Sequence, residues 1–106
     1  MSQTLEKIRP LVLSGDVLIS QHGRQELKAD DINLEHVIAG IQMGHVVEDY
    51  PEYAKGPCVL VLQQDAADRP IHVLWGLRRG TERPAVLITA YRPDPLQWTN
   101  DWMRRR

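Results

Sequence analysis

Ile71-His72-Val73-Leu74-Trp75-Gly76-Leu77, a turn across Arg79 to Pro84, and then Ala85-Val86-Leu87-Ile88-Thr89-Ala90-Tyr91 form the stretch that decides the fold. Both arms are rich in β-branched and aromatic residues, and glycine and proline lie between them. That pattern reads as two paired strands. Just upstream, Cys58-Val59-Leu60-Val61-Leu62-Gln63 is an almost unbroken apolar run, which suits a central strand. Asp65 to Asp68 turns the chain between them. His45 to Tyr50 is also β-rich and stops at Pro51. Connections this short favour antiparallel pairing. The expectation is a four-stranded antiparallel meander.

The N-terminal half reads as helices. Leu5, Ile8 and Val12 recur at helical spacing, with Gly15 as a stop and Pro10 as an awkward interior residue. Val17-Leu18-Ile19 is a short extended piece. Ser20 suits the cap of a helix from Gln21 to Lys28, which Asp30-Asp31 breaks. Asn33 caps the next, whose Leu34, Val37, Ile38 and Ile41 make one apolar stripe before Gly44. Helices followed by strands imply an α+β fold, with the N-terminal helices packed on one face of the sheet. Pro93 and Pro95 end the sheet. Trp98, Asn100 and Trp102 suggest a short terminal turn or helix that packs back on the body, and Trp98 and Trp102 sit four apart, the spacing of one side of such a helix.

Length and composition narrow the class. The 106 residues, 42% hydrophobic and 25% charged, make one globular domain spanning 1–106. One cysteine, Cys58, permits no internal disulfide and no four-cysteine zinc site. No apolar run approaches a membrane span, and Met1 to Lys7 lacks a signal-peptide pattern. A cytoplasmic protein without a membrane partner is expected. Net charge is −1, but residues 1–64 hold five basic and nine acidic residues, and residues 65–106 hold eight and five. The eight are all arginines, the residue best shaped for phosphate and carboxylate. The whole chain is not basic enough for tight nonspecific nucleic-acid binding.

Alternation sets the faces. Ile71, Val73, Trp75 and Leu77 should share the helix side with Val86, Ile88, Ala90, Leu60 and Leu62. Val59, Val61, His72, Leu74, Arg78, Leu87, Thr89 and Tyr91 should form the open side. If Arg78 pairs with Ala85 across the turn, His72 falls opposite Tyr91, and Arg92 follows one residue on. Histidine titrates near neutrality and suits proton transfer, tyrosine donates a hydrogen bond, and arginine clamps phosphate. His72, Tyr91 and Arg92 are therefore the candidate catalytic residues, and His22 is a second proton-transfer group if α-helical packing brings it to the sheet edge. The bland reading makes His72 and Tyr91 a stabilising pair. Glu48-Asp49-Tyr50 is an acidic strand end that either blocks sheet association or holds Arg92 or Arg78 in place. No short metal-ligand motif and no glycine-rich phosphate loop occurs, so no metal and no cofactor are expected. Cys58 starts an apolar strand and reads as an inert buried thiol rather than a nucleophile.

These motifs resemble a family. Ser20-x-His22 is followed by Ile32 and Leu34-Glu35-His36-Val37. Next come Val46-Val47-Glu48-Asp49-Tyr50-Pro51, Gly56-Pro57-Cys58, Pro70-Ile71-His72-Val73 and Thr89-x-Tyr91-Arg92-Pro93-Asp94-Pro95. Over Leu18 to Trp98 the chain resembles the small bacterial family of unknown function numbered 4258. That family in turn resembles the RelE/ParE toxins, in which N-terminal helices pack on an antiparallel sheet. The resemblance implies either an open sheet face that cuts mRNA or, as in ParE-like members, a face that binds gyrase and cuts nothing. Tyr91, Arg92 and Arg78 match the first pattern, but its lysine-rich character is missing. The expected function is thus a toxin-type, metal-independent endoribonuclease with RNA as substrate and an antitoxin as partner. The alternative is a non-catalytic protein-binding module using the open sheet face and Trp98 and Trp102.

Overall fold

The structure is a computed structural model and describes residues 2–106. The Ser2 hydroxyl accepts the Leu5 N–H and starts α1 (Gln3–Leu13), which buries Leu5, Ile8 and Val12. Pro10 lies inside this helix and leaves one intrahelical hydrogen bond unmade. β1 (Val17–Ile19) follows, and Ser20 caps α2 (Gln21–Ala29) by accepting the Gly23 N–H. Asn33 caps α3 (Leu34–Gly40), and a single 3-10 turn, Ile41–Met43, extends its apolar stripe to the buried Ile41. Four longer strands complete the chain: β2 (His45–Tyr50), β3 (Cys58–Gln64), β4 (Pro70–Gly76) and β5 (Ala85–Tyr91).

The sheet has five strands in the order β1-β5-β4-β3-β2. This corrects the four-stranded antiparallel expectation. β2 to β5 do form the antiparallel meander, but β1 adds to its edge in parallel with β5. Asp16 and Ser20 bracket that pairing: the Ala85 N–H donates to the Asp16 carbonyl, and the Ser20 N–H donates to the Leu87 carbonyl. Its partner lies more than sixty residues away in sequence, so no local pattern announces it.

The face assignment also needs correction. Val59 pairs with Trp75, Val61 with Val73 and Gln63 with Ile71, so these six share the helix side. Leu60 and Leu62 lie on the opposite side. On β5, His72 pairs with Tyr91, Val73 with Ala90 and Leu74 with Thr89, after which the register shifts so that Trp75 pairs with Leu87 and Gly76 with Val86. Ile88 is the extra residue of this bulge, and the bulge turns Leu87 inward and Val86 outward. The core between helices and sheet therefore holds Ile8, Val12, Val37, Ile41, Val59, Val61, Val73, Trp75 and Leu87. Gln63 is polar yet buried there. Its amide donates to the Val37 carbonyl at 2.6 Å and accepts the Trp75 indole N–H at 2.8 Å, so burial leaves none of these groups unpaired.

Candidate functional site

The sheet side away from the helices carries three rows. Leu62, His72 and Tyr91 lie side by side at one end; Glu48, Leu60, Leu74 and Thr89 form the next row. Tyr50, Cys58, Gly76 and Val86 form the third, with Leu18 beyond Val86 on β1. Residues 93–106 fold back over the first row. No terminal helix forms; Trp98 and Arg105 instead make an antiparallel bridge, and Trp102 has a positive φ of 66°. The open face is thus closed at its His72 end.

His72 is wholly buried. Its Nε2 lies 2.8 Å from the Trp102 carbonyl, which only accepts, so the ring proton sits on Nε2. Nδ1 then accepts the Tyr91 hydroxyl at 3.1 Å. The ring meets Trp98 edge-on at 4.4 Å and Tyr91 edge-on at 5.3 Å. Burial holds the imidazole pKa below its ordinary value, and the Trp102 carbonyl and the Glu48 charge oppose that shift only in part. Burial also raises the Tyr91 phenol. His72 and Tyr91 are therefore a fixed, neutral pair under the C-terminal segment.

Beside this pair the acidic strand end of β2 does hold an arginine, but it is Arg105 rather than Arg92 or Arg78. Arg105 grips Glu48 with two hydrogen bonds, Nε to Oε2 at 3.0 Å and Nη2 to Oε1 at 3.1 Å. The Tyr50 hydroxyl donates to Glu48 Oε1 at 2.6 Å. Arg105 also lies 4.7 Å over the Trp98 ring, a cation–π stack. The Arg105 bonds hold the Glu48 carboxyl below the usual carboxylate range against the pull of burial. Glu48 in turn raises the Tyr50 phenol. Glu48 is partly exposed, Tyr50 and Arg105 are open to water, and Glu48 and Arg105 stand near enough to the buried His72 to act on its charge. The spacing Glu48-x-Tyr50 puts both on one face of β2, which the sequence does show. Nothing local points Arg105 toward them, because its position depends on the path of residues 93–106.

Arg92 and His22 are elsewhere. The Arg92 Nη2 pairs with Asp65 at 2.9 Å, its Nη1 donates to the Pro70 carbonyl at 3.3 Å, and its backbone N–H donates to Asp30. Burial would raise the Asp65 carboxyl, but the Arg69 and Ala67 N–H groups and Arg92 outweigh it and bring it to about 2. Arg92 therefore ties β5 to the β3–β4 turn. His22 stands exposed on α2, 3.9 Å from Glu26, and α2 packs on the helix side of β5 with Gly23 against Leu87. Of the four sequence candidates, only His72 and Tyr91 touch. Trp98 is buried and Trp102 partly so, which makes both parts of the covering segment. Cys58 is buried and its thiol is pushed up, first by burial and then by Asp49. Among the described residues no group of three or more His, Cys, Asp or Glu side chains is arranged to hold a metal ion, and no helix is long and apolar enough to cross a membrane.

Helices on one face of a mixed five-stranded sheet, with a hydrogen-bonded polar group on the other, define a small α+β domain. The chain belongs to the family described as Domain of unknown function (DUF4258), which matches residues 19–92, from the last residue of β1 through Arg92. No curated protein and no solved structure matches the chain significantly.

Proposed function

We propose that this chain is a toxin-type domain that cleaves RNA through the sheet face away from the helices, without a metal. The observation that carries the reading is the Glu48–Tyr50–Arg105 group, which combines a carboxylate, a phenol and a guanidinium in one hydrogen-bonded set beside His72 and Tyr91. The resemblance to RelE/ParE toxins read from the sequence adds support only as analogy.

Metal-independent cleavage needs a base, an acid and a cation. Glu48 is ionised at neutral pH and takes the 2′-hydroxyl proton. The 2′-oxygen then bonds to phosphorus as the bond to the 5′-oxygen breaks, and Tyr50 gives its proton to that leaving oxygen. The products are a 2′,3′-cyclic phosphate and a 5′-hydroxyl end. The 2.6 Å hydrogen bond between Tyr50 and Glu48 then lets the proton pass back from carboxyl to phenolate, so both groups are reset. Arg105, whose side chain is 64% exposed, exchanges its carboxylate for the phosphate. His72 and Tyr91 act as positioning residues: they hold the C-terminal segment, and so Arg105, against the sheet. A protein antitoxin is the expected partner of such a toxin.

Tightly induced expression in bacteria tests this reading. The wild type arrests growth, and soluble, folded Glu48→Gln and Tyr50→Phe variants relieve the arrest. Arrest that survives Glu48→Gln sinks it. Normal growth at high soluble expression favours the second reading, a non-catalytic protein-binding module. The specific observation behind that reading is the exposure of Leu18 and Tyr53 at the uncovered end of the same face.

A further inference from the structure

The third row of the far face ends in a second feature. The loop between β2 and β3 turns tightly, with the Tyr53 N–H 3.4 Å from the Tyr50 carbonyl, and then docks on the end of β4. The Leu77 N–H donates to the Pro57 carbonyl and the Arg79 N–H donates to the Lys55 carbonyl, both at 3.0 Å. Gly56 makes this docking possible. It adopts a φ of 132°, and a Cβ there would lie 1.9 Å from the Leu77 carbonyl oxygen. The loop is thereby fixed beside the β4–β5 turn. Together they frame a shallow depression of about 290 Å³, lined by Tyr53, Lys55, Arg78, Val86 and Ile88.

The chemistry of this depression is mixed in a specific way. Its floor is apolar, and Tyr53 stands 55% exposed at its rim. Lys55, Arg78 and Arg79 are exposed and form no ion pair among the described residues. Two carboxylates, Glu52 and Glu82, lie in the same loops and leave the rim net positive. Gly76 and Val86, which line the depression, share the third row with Tyr50, the residue bonded to Glu48. An aromatic platform with flanking cations, on the same sheet face as a carboxylate–guanidinium pair, suits a single strand of nucleic acid. Bases stack on the ring and phosphates meet the cations.

We infer that this depression is the subsite that grips single-stranded RNA next to the cleavage point, with Tyr53 stacking on a base and Arg78 and Arg79 contacting phosphates. The inference rests on the proposed RNA-cleaving reading and adds to it the residues that hold the substrate. A protein partner docking on the same patch would use the apolar floor and would not show the salt dependence of phosphate contacts.

The test is fluorescence anisotropy with a labelled 2′-O-methyl oligoribonucleotide, which lacks the attacking hydroxyl and stays intact. Wild type binds it. Tyr53→Ala binds about tenfold more weakly, and Tyr53→Phe restores affinity. The Arg78→Ala/Arg79→Ala double variant flattens the dependence of log affinity on log salt by about 1.4, as expected for two lost single-strand phosphate contacts. Tyr53 and both arginines are exposed, so these variants fold. Unchanged binding by Tyr53→Ala and by the double variant overturns the inference, and if RNA is still cut at Glu48 the catalytic reading stands. Absence of any salt-dependent binding by the wild type overturns it as well.

Discussion

His72 has both ring nitrogens engaged and no exposed surface, so its protonation is coupled to folding. Its folded pKa lies below its unfolded value of about 6.5. A lowered base binds fewer protons when folded, so its stabilising contribution is complete above about pH 6.5. The contribution is lost as pH falls toward the folded pKa. Thermal midpoints measured at pH 7.5 and pH 5 should show a drop in the wild type that is much smaller in His72→Gln. An equal drop in both would contradict the tie. Asp65, held at about 2, stays ionised throughout this window and does not confuse the reading. Complete removal in His72→Ala leaves the Trp102 carbonyl and the Tyr91 hydroxyl unpaired, and should cost about 2–4 kcal/mol by denaturant titration.

The pairing of His72 with Tyr91 was legible in the sequence, but for a partly mistaken reason. Placing Arg78 opposite Ala85 puts the turn end of the ladder one residue off, since Gly76 pairs with Val86. The bulge at Ile88 then restores the register by His72. A short run of apolar residues does not reveal a bulge, because Val86, Leu87 and Ile88 suit either face equally. Arg92 turns away from the pair for the same kind of reason: its direction is set by Asp65, a residue whose burial the local sequence does not announce.

At the scale of elements, capping residues and apolar stripes carried the information. Ser20 and Asn33 start their helices as read, and the stripe from Leu34 to Ile41 is buried at Val37 and Ile41. What escaped was long-range. β1 has only three residues and pairs with the last strand, and the C-terminal segment crosses the sheet without regular structure. Two predictions belong here. Gly56→Ala forces a methyl into the Leu77 carbonyl at a positive φ, and should lower stability by about 2 kcal/mol or more, seen as a reduced thermal midpoint. Gln63→Leu keeps the apolar packing but strands the Trp75 N–H and the Val37 carbonyl, and should cost about 1–3 kcal/mol. A neutral Gln63→Leu would mean that water or a shifted backbone satisfies both groups.

Across the whole molecule the two sheet faces divide the labour. The helix side holds the core that makes the domain stable. The other side exposes Glu48, Tyr50 and Tyr53 between the arginine-bearing C-terminal segment and the arginine-bearing β4–β5 turn. Arg78, Arg79 and Arg105 thus border this surface, whereas Arg69 and Arg92 pair with Asp65 and Arg83 pairs with Asp16. Mapping transcript 5′ ends in cells induced to express the wild type and the Glu48→Gln variant tests the catalytic claim most directly. The wild type should generate new 5′-hydroxyl ends, and Glu48→Gln should reduce them about 100-fold or more, the share expected of a general base. An absence of new ends with the wild type, or ends that persist undiminished in Glu48→Gln, would contradict the account.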